Sequence, residues 1–512
     1  MSTEMGQLTG KRVIEAEVHG ALRDFLRVSG GDRWPHHLTM ARLVARALRL
    51  GRDALIQTGV FPTSCQRYAL SYLTPILMSP TAVVLIGSTQ VRRQLQERDI
   101  PDLQAWLGSN KPIQESDRLE AGFQGLLLTS PEAWLGDRLA GGEGFPDGVP
   151  TLIDGADDWE RWTQQSLTVA ISPQDWVDWI AASPEQGQQI RDVQVALVRR
   201  SLERPDNPYQ SHPIDNREQA ALAQLTPDAA MPPAWRNFWE SWRSHPGGVW
   251  AKLNRRQGQL WIYHSPVDLG KYLAPLWQRQ PMVWVGGALD LERDASAFRE
   301  RLGLGDMTCV KFSPDRQQAH LHLYAPERLP LPNTPEYKPA LLRELHDLIR
   351  IGSSAETAPG LITIIVGDVP LRAIVAAQLA ADFGSRVRVQ QSELPENGIL
   401  ISGWSFWREH QGELPASKLL AIATLPFPSL EDPHVSAQVA HYKQQRQDWF
   451  RLYLLPTALS DLQRAIAPIR EVQGTVVLLD VRAIYRSYGK QIFAALSPYA
   501  RVNSPEVGLF EG

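Results

Sequence analysis

Between an apolar run and the next helix-like segment the chain reads QTGVFPTSCQRY, from Gln57 to Tyr68. A phosphate-cradling loop follows G-x-x-x-x-G-K-[ST]: backbone N–H groups surround the phosphates, a lysine reaches the terminal ones and a hydroxyl holds magnesium. Only Gly59 is in place here, and the stretch taken alone reads as a proline-containing turn. Two other groupings have residue types that could do chemistry. His320 and His322 in AHLHLY share one strand face, but no third ligand lies at a zinc-like spacing, so polar surface is the better reading. In PPAWRNFWESWRSHPGG, Trp235, Trp239 and Trp242 fall at i, i+4 and i+7 on one helical face. A base-stacking platform and the packing face of a small helical domain both fit, and the helical spacing favours packing.

The elements that would position such residues alternate. HHLTMARLVARALRLGRDALIQTG reads as a helix to about Leu50, a turn and a short buried strand; YALSYLTPIL follows as a helix and TAVVLIGST as a strand. Further strands are expected at GLLLTS and VPTLIDGAD. Strands alternating with helices indicate a parallel sheet covered by helices, with ligands at the carboxyl ends of the strands. From about Trp159 to Gln259 the pattern turns polar, proline-punctuated and helical, with little that resembles a strand. Strand-like segments resume at QLWIYHSP and PMVWVGGAL. After APERLPLPNTPEYKP, read as a linker, a second alternating run extends from ALLRELHDLIRIG to GTVVLLDVRAIYRSYG, long enough for a second α/β domain.

Composition narrows the function classes. The 512 residues are too many for one core; they are 43% apolar and 21% charged, and no apolar stretch approaches the roughly 20 residues that cross a bilayer. With no apolar signal core in MSTEMGQLTGKR, a cytoplasmic protein without membrane contact is expected. Two cysteines, Cys65 and Cys309, can supply neither a disulfide framework nor an all-cysteine iron–sulfur site. A net charge of −4 confines any nucleic-acid contact to local patches. Seventeen tryptophans are the compositional oddity.

The order and wording of the segments resemble the DinG/XPD branch of superfamily 2 DNA helicases. LISGWSFWREHQGELPASKLLAIATLPFPSLEDP, FRLYLLPTALSDLQRAIAPIR and GTVVLLDVRAIYRSYGKQIFAALSP follow that family's C-terminal motifs, STQVRRQLQERDIPDL resembles its backbone-gripping segment, and TLIDGADDWE sits at its Asp-Glu-Ala-His box. Each motif alone is weak; seven in the right order are specific. The resemblance covers roughly residues 12 to 160 and 260 to 500. It implies two RecA-like parallel-sheet domains with a helical insertion in the first: 12–159 and 260–309 for the first domain, 160–259 for an arch-like insertion, and 310–502 for the second domain.

Against the family's pattern the chemistry has decayed. QTGVFPTSC takes the phosphate-loop position, with Ser64 and Cys65 near the lysine and threonine places, and there is no lysine from Arg12 to Asn110. Asp154 keeps the magnesium-linked aspartate, but Gly155 replaces the water-activating glutamate and Asp157 the histidine. Gly286, Gly287 and Ala288 stand where Ser-Ala-Thr would couple the sites; Gln463 and Arg470 match the last motif, but Ala467 replaces its first arginine. Losing one charge-stabilising arginine can cost on the order of 10³-fold in phosphoryl transfer. Gly59, Asp154, Gln463 and Arg470 are thus nucleotide-site remnants. ATP and magnesium are implied by the family alone, and the stretch from Asn110 to Gly125 is too short for its iron–sulfur insertion.

Nucleic-acid binding is what the resemblance leaves. Thr89, Arg92 and Arg93 lie just past a strand end, where a hydroxyl and two guanidinium groups can meet phosphates, although a solvated helix start fits equally. Lys252, Arg255 and Arg256 form a second basic cluster for which a solvated turn is the better reading. Trp404, Phe406 and Trp407 could stack on bases, or alternate members could fill the groove between domains. The expectation is a non-hydrolysing module that binds DNA, single-stranded or at a junction, or a repair or replication protein. An active ATP-dependent helicase with an atypical nucleotide site and a pure protein-interaction scaffold are the alternatives.

Overall fold

The computed structural model describes residues 15–29, 34–61, 67–225, 227, 230–313, 321–353 and 360–503. Ser64, Cys65 and His320 lie outside them. Among the described residues no helix is long and apolar enough to cross a membrane.

Short apolar runs build two seven-stranded sheets, parallel throughout. The first runs Thr308–Lys311, Ala54–Gln57, Met282–Gly286, Thr151–Asp154, Val83–Ile86, Leu126–Thr129, Ile113–Glu115. The second runs Val387–Val389, Ile399–Ser402, Leu361–Ile365, Ser417–Ile422, Thr475–Leu478, Leu321–Tyr324, Tyr499–Val502. Central strands such as VVLI, LLLT, LITII and TVVL are buried along their whole length, because helices cover both faces of a parallel sheet. The two-residue period sorts their side chains. Val83 and Leu85 join one core and Val84 and Ile86 another; Leu361 and Ile365 likewise part from Ile362 and Ile364.

Pairing moves the expected divisions of the chain. Thr308–Lys311 hydrogen-bonds to Ala54–Gln57, so the crossing between sheets lies after Lys311 rather than at residue 309. Leu321–Tyr324 is an inner strand of the second sheet, so the proline-rich stretch after it is an internal connection of that domain, not an interdomain linker. The inserted region contains the helices Pro173–Ala182, Gly187–Glu203, Asn216–Ala223 and Pro233–Ser244, but also a four-stranded antiparallel sheet that the polar, proline-punctuated sequence did not announce. Its order is Val169–Ile171, Gln259–Pro266, Gly247–Asn254, Ser211–Pro213. QLWIYHSP therefore belongs to the insertion and not to the returning first domain.

The tryptophans are mostly core. Trp134, Trp159, Trp162, Trp277 and Trp284 pack beneath the first sheet, and Trp176, Trp179, Trp235, Trp239 and Trp242 pack inside the insertion. The stripe on Pro233–Ser244 is thus a packing face, as its spacing favoured.

Candidate nucleotide and nucleic-acid sites

At the carboxyl ends of the first sheet's strands, where parallel sheets ordinarily bind ligands, the side chains are bonded to one another. Asp154 closes the strand TLID; its Oδ1 accepts from the Tyr68 hydroxyl at 2.7 Å and its Oδ2 from the Tyr72 hydroxyl at 2.5 Å. The two tyrosines are four residues apart and so share a face of the chain entering the helix Ala69–Met78, directly after the loop position. Burial raises the Asp154 carboxyl to about 6, against the pull of both hydroxyls, and holds both phenols well above their ordinary value. As placed, Asp154 does not suit a magnesium ligand: both oxygens are engaged and the residue is 2% exposed.

Its neighbours are similarly occupied. Gly155 has φ +85°, a backbone in which a glutamate at that position would be strained. Asp157 accepts from the backbone N–H groups of Gly287 at 2.7 Å and Ala288 at 2.8 Å, and burial raises its carboxyl too. Gly59 donates its N–H to the Gly287 carbonyl at 3.0 Å. The Phe61 ring lies so near that a Cβ on Gly287 would come within 2.6 Å of it. Gln57 is spent as well, accepting from the amides of Leu289 and Asp290 and donating to the Glu292 carbonyl.

Across the cleft the helix Leu455–Glu471 of the second domain faces these groups with an arginine the motif comparison did not single out. Arg464 Nη1 donates to Asp158 Oδ2 at 2.9 Å, and its guanidinium carbon lies 5.9 Å from the Phe61 ring centre. One turn earlier Ser460 donates to the Ala288 carbonyl at 2.8 Å, a second bond between domains. Burial would raise the Asp158 carboxyl, but Arg464, with Arg161 and Arg408 beyond, holds it below its ordinary value. Arg408 in turn pairs with Asp461.

The other predicted remnants lie elsewhere. Arg470 is buried and donates to the carbonyls of Leu496, Ser497 and Pro498, tying down the end of the helix Gly489–Leu496; burial lowers it to about 10. It clamps the second domain's own backbone. Gln463 bonds back to the Leu459 carbonyl of its own helix. Tyr68, Tyr72, Phe61, Arg464 and Asp158 were not singled out from sequence. Only the i, i+4 tyrosines after the loop offered a signal.

For the nucleic-acid candidates the geometry is mixed. Ser88 caps the helix Thr89–Gln94, which leaves Thr89 and Arg93 exposed. Arg93 pairs with Glu97 one turn on, whereas Arg92 lies against Glu115 at 2.5 Å and also donates to Thr89. A phosphate at Arg92 must therefore compete with a carboxylate. Trp407 is a correction: 2% exposed in the core of the second domain, with Nε1 donating to the Ala465 carbonyl, it has no face for a base. Arg255 is bound to the carbonyls of Ser201, Leu202 and Arg204, so its guanidinium serves the insertion's own packing.

Residues 413–499 match the family model described as the helicase C-terminal domain. The chain is 23% identical over 269 residues, half its length, to the ATP-dependent DNA helicase YoaA of Escherichia coli strain K12, and the match covers 42% of that protein. The corresponding protein of Haemophilus influenzae is 28% identical over 108 residues, 20% of this chain and 17% of that one. The structure of S. tokodaii Xpd4 superposes with a TM-score of 0.59 at 11% identity, covering 91% of this chain and 99% of the other. Residues 413–499 thus match a helicase C-terminal domain, the chain is similar in sequence to a DNA helicase over half its length, and its fold is that of Xpd4. Its two seven-stranded sheets match the two RecA-like domains of the XPD fold, and the region from Val169 to Pro266 is inserted between strands of the first. The sequence matches span less than half the length of these curated relatives.

Proposed function

We propose that this DinG-like protein is a cytoplasmic, non-hydrolysing module that binds nucleic acid, single-stranded or at a junction, or a repair or replication protein. The observation that carries the reading is Asp154, the position that would hold magnesium, closed by the hydroxyls of Tyr68 and Tyr72. Gly155 in a left-handed backbone and the Arg464–Asp158 pair add to it, because the domain contact a nucleotide would mediate is already made by side chains. Neither ATP nor magnesium nor an iron–sulfur cluster is needed in this reading. Thr89 and Arg93, with Arg92 once it leaves Glu115, supply the phosphate contacts. The pairing of Arg92 with Glu115 favours a second reading, a protein-interaction scaffold.

Two titrations of the purified chain decide among these. Phosphate release with ATP and single-stranded DNA is expected to equal that of an Asp154→Ala variant; release well above it restores the helicase reading. Fluorescence anisotropy with a labelled strand is expected to show binding that weakens steeply with salt, since phosphate contacts release counterions. Absence of binding at low salt leaves the scaffold.

A further inference from the structure

The antiparallel sheet of the insertion packs one face on the insertion's own helices and only part of the other, at Gly248 and Trp250, against the helix Pro433–Gln444 of the second domain. Val249, Ala251, Leu253, Leu260 and Ile262 turn inward onto the insertion's helices. The register sets Trp250 opposite Tyr263 and Lys252 opposite Trp261 on the outer face. An antiparallel sheet with one packed face is ordinarily polar on the other, whereas this one carries a buried Trp250 beside half-buried Trp261 and Tyr263 and an exposed ammonium group. The Trp250 and Tyr263 rings are stacked, 5.4 Å between centres and 11° between planes. Trp250 also meets His434 of the second domain at 4.2 Å, which fixes the stack against the cleft.

Beside this face lies a cavity of about 700 Å³, walled by the sheet, by the helix Trp159–Leu167 and by the second domain near Tyr453 and Thr457. That volume falls in the range of roughly 300–1,000 Å³ typical of ligand sites. Much of the charge around it is spent: Asp158, Glu160 and Asp461 are held by Arg464, Arg301 and Arg408. Lys252 has no ion pair among the described residues. Packing alone accounts for Trp250, but not for Tyr263 and Lys252 lining open space.

We infer that this sheet face is a stacking site for single-stranded nucleic acid: an unpaired base lies on the Tyr263–Trp250 stack and its phosphate meets Lys252. The inference rests on the reading that the protein binds nucleic acid. Every base offers a π-face, so the site tolerates any sequence and excludes duplex, whose bases are already stacked. Anisotropy with labelled dT15, dA15, rU15 and a 15-base-pair duplex tests it on the full chain. Tyr263→Ala is expected to weaken dT15 and dA15 about 5- to 100-fold with little change in salt slope, and Tyr263→Trp to retain binding. Lys252→Gln is expected to lower the log–log salt slope by about 1. The rU15 arm separates RNA from DNA as the source of the strand. Wild-type affinity in a Tyr263→Ala protein that keeps its circular dichroism overturns the site and leaves nucleic-acid binding standing. A wild type that binds none of the four at low salt removes the underlying reading, and this one with it.

Discussion

The two seven-stranded sheets share strand count, parallel pairing and burial on both faces, yet they differ in likeness to known helicases and in how the side chains at their strand ends are engaged. In the second domain residues 413–499 keep enough of the family's wording to match its model. At the strand ends of the first, Asp154, Asp157 and Gln57 are turned inward, onto tyrosine hydroxyls and backbone amides. A parallel sheet asks only for short apolar runs at the right spacing, which many residues satisfy. A nucleotide site asks for donors and acceptors that stay open until the ligand arrives. Here internal partners already satisfy those of Asp154, Asp157 and Gln57.

The sharpest break in that comparison is Trp407→Ala. Because the side chain fills the second domain's core, the substitution is expected to cost about 3–5 kcal/mol, read by denaturant titration. A base-stacking residue would instead lose binding with stability intact. In the first domain Tyr68→Phe with Tyr72→Phe strands a buried carboxylate and should cost about 3 kcal/mol, hydrogen bonds to a charged group being worth more than neutral ones. Adding Asp154→Leu should recover much of the loss, whereas an Asp154 held open for magnesium would show no such coupling.

Asp154 also sets a pH dependence. Its folded pKa of about 6 exceeds the ordinary 3.8, so the folded state binds the proton more tightly. That contribution is complete below about pH 4 and is lost as pH rises through 6. Asp154→Asn should therefore gain in Tm relative to the wild type from pH 4 to 7, by the equivalent of up to about 3 kcal/mol. A constant difference would mean that the carboxylate is solvated. Arg464→Met breaks a pair only 15% and 12% exposed and should cost about 2 kcal/mol, with the two domains melting in separate steps by calorimetry. Unchanged single-step melting would place the domain coupling elsewhere. The smallest effect is expected from Arg92→Ala with Arg93→Ala: under about 1 kcal/mol in stability, since the pairs with Glu115 and Glu97 are at the surface, but a salt slope for single-stranded DNA lower by about 1 to 2.

The sequence by itself determined the strands. VVLI, LLLT, LITII and TVVL are apolar along their whole length, and that is legible because burial on both faces removes any need for alternation. It also determined the tryptophan stripe at Trp235, Trp239 and Trp242, whose 3.6-residue period is local. Tertiary structure decided what acts across distance. Trp407 and Arg470 carry no local sign that one is core and the other a clamp on carbonyls 26 to 28 residues away. Nor does Asp154 show that its partners are hydroxyls 82 and 86 residues earlier in the chain, or Arg464 that its carboxylate lies 306 residues back. Hydrogen bonds and ion pairs depend on where atoms meet, and in a sheet built by crossover connections those meetings are set by strand order, which no local period encodes.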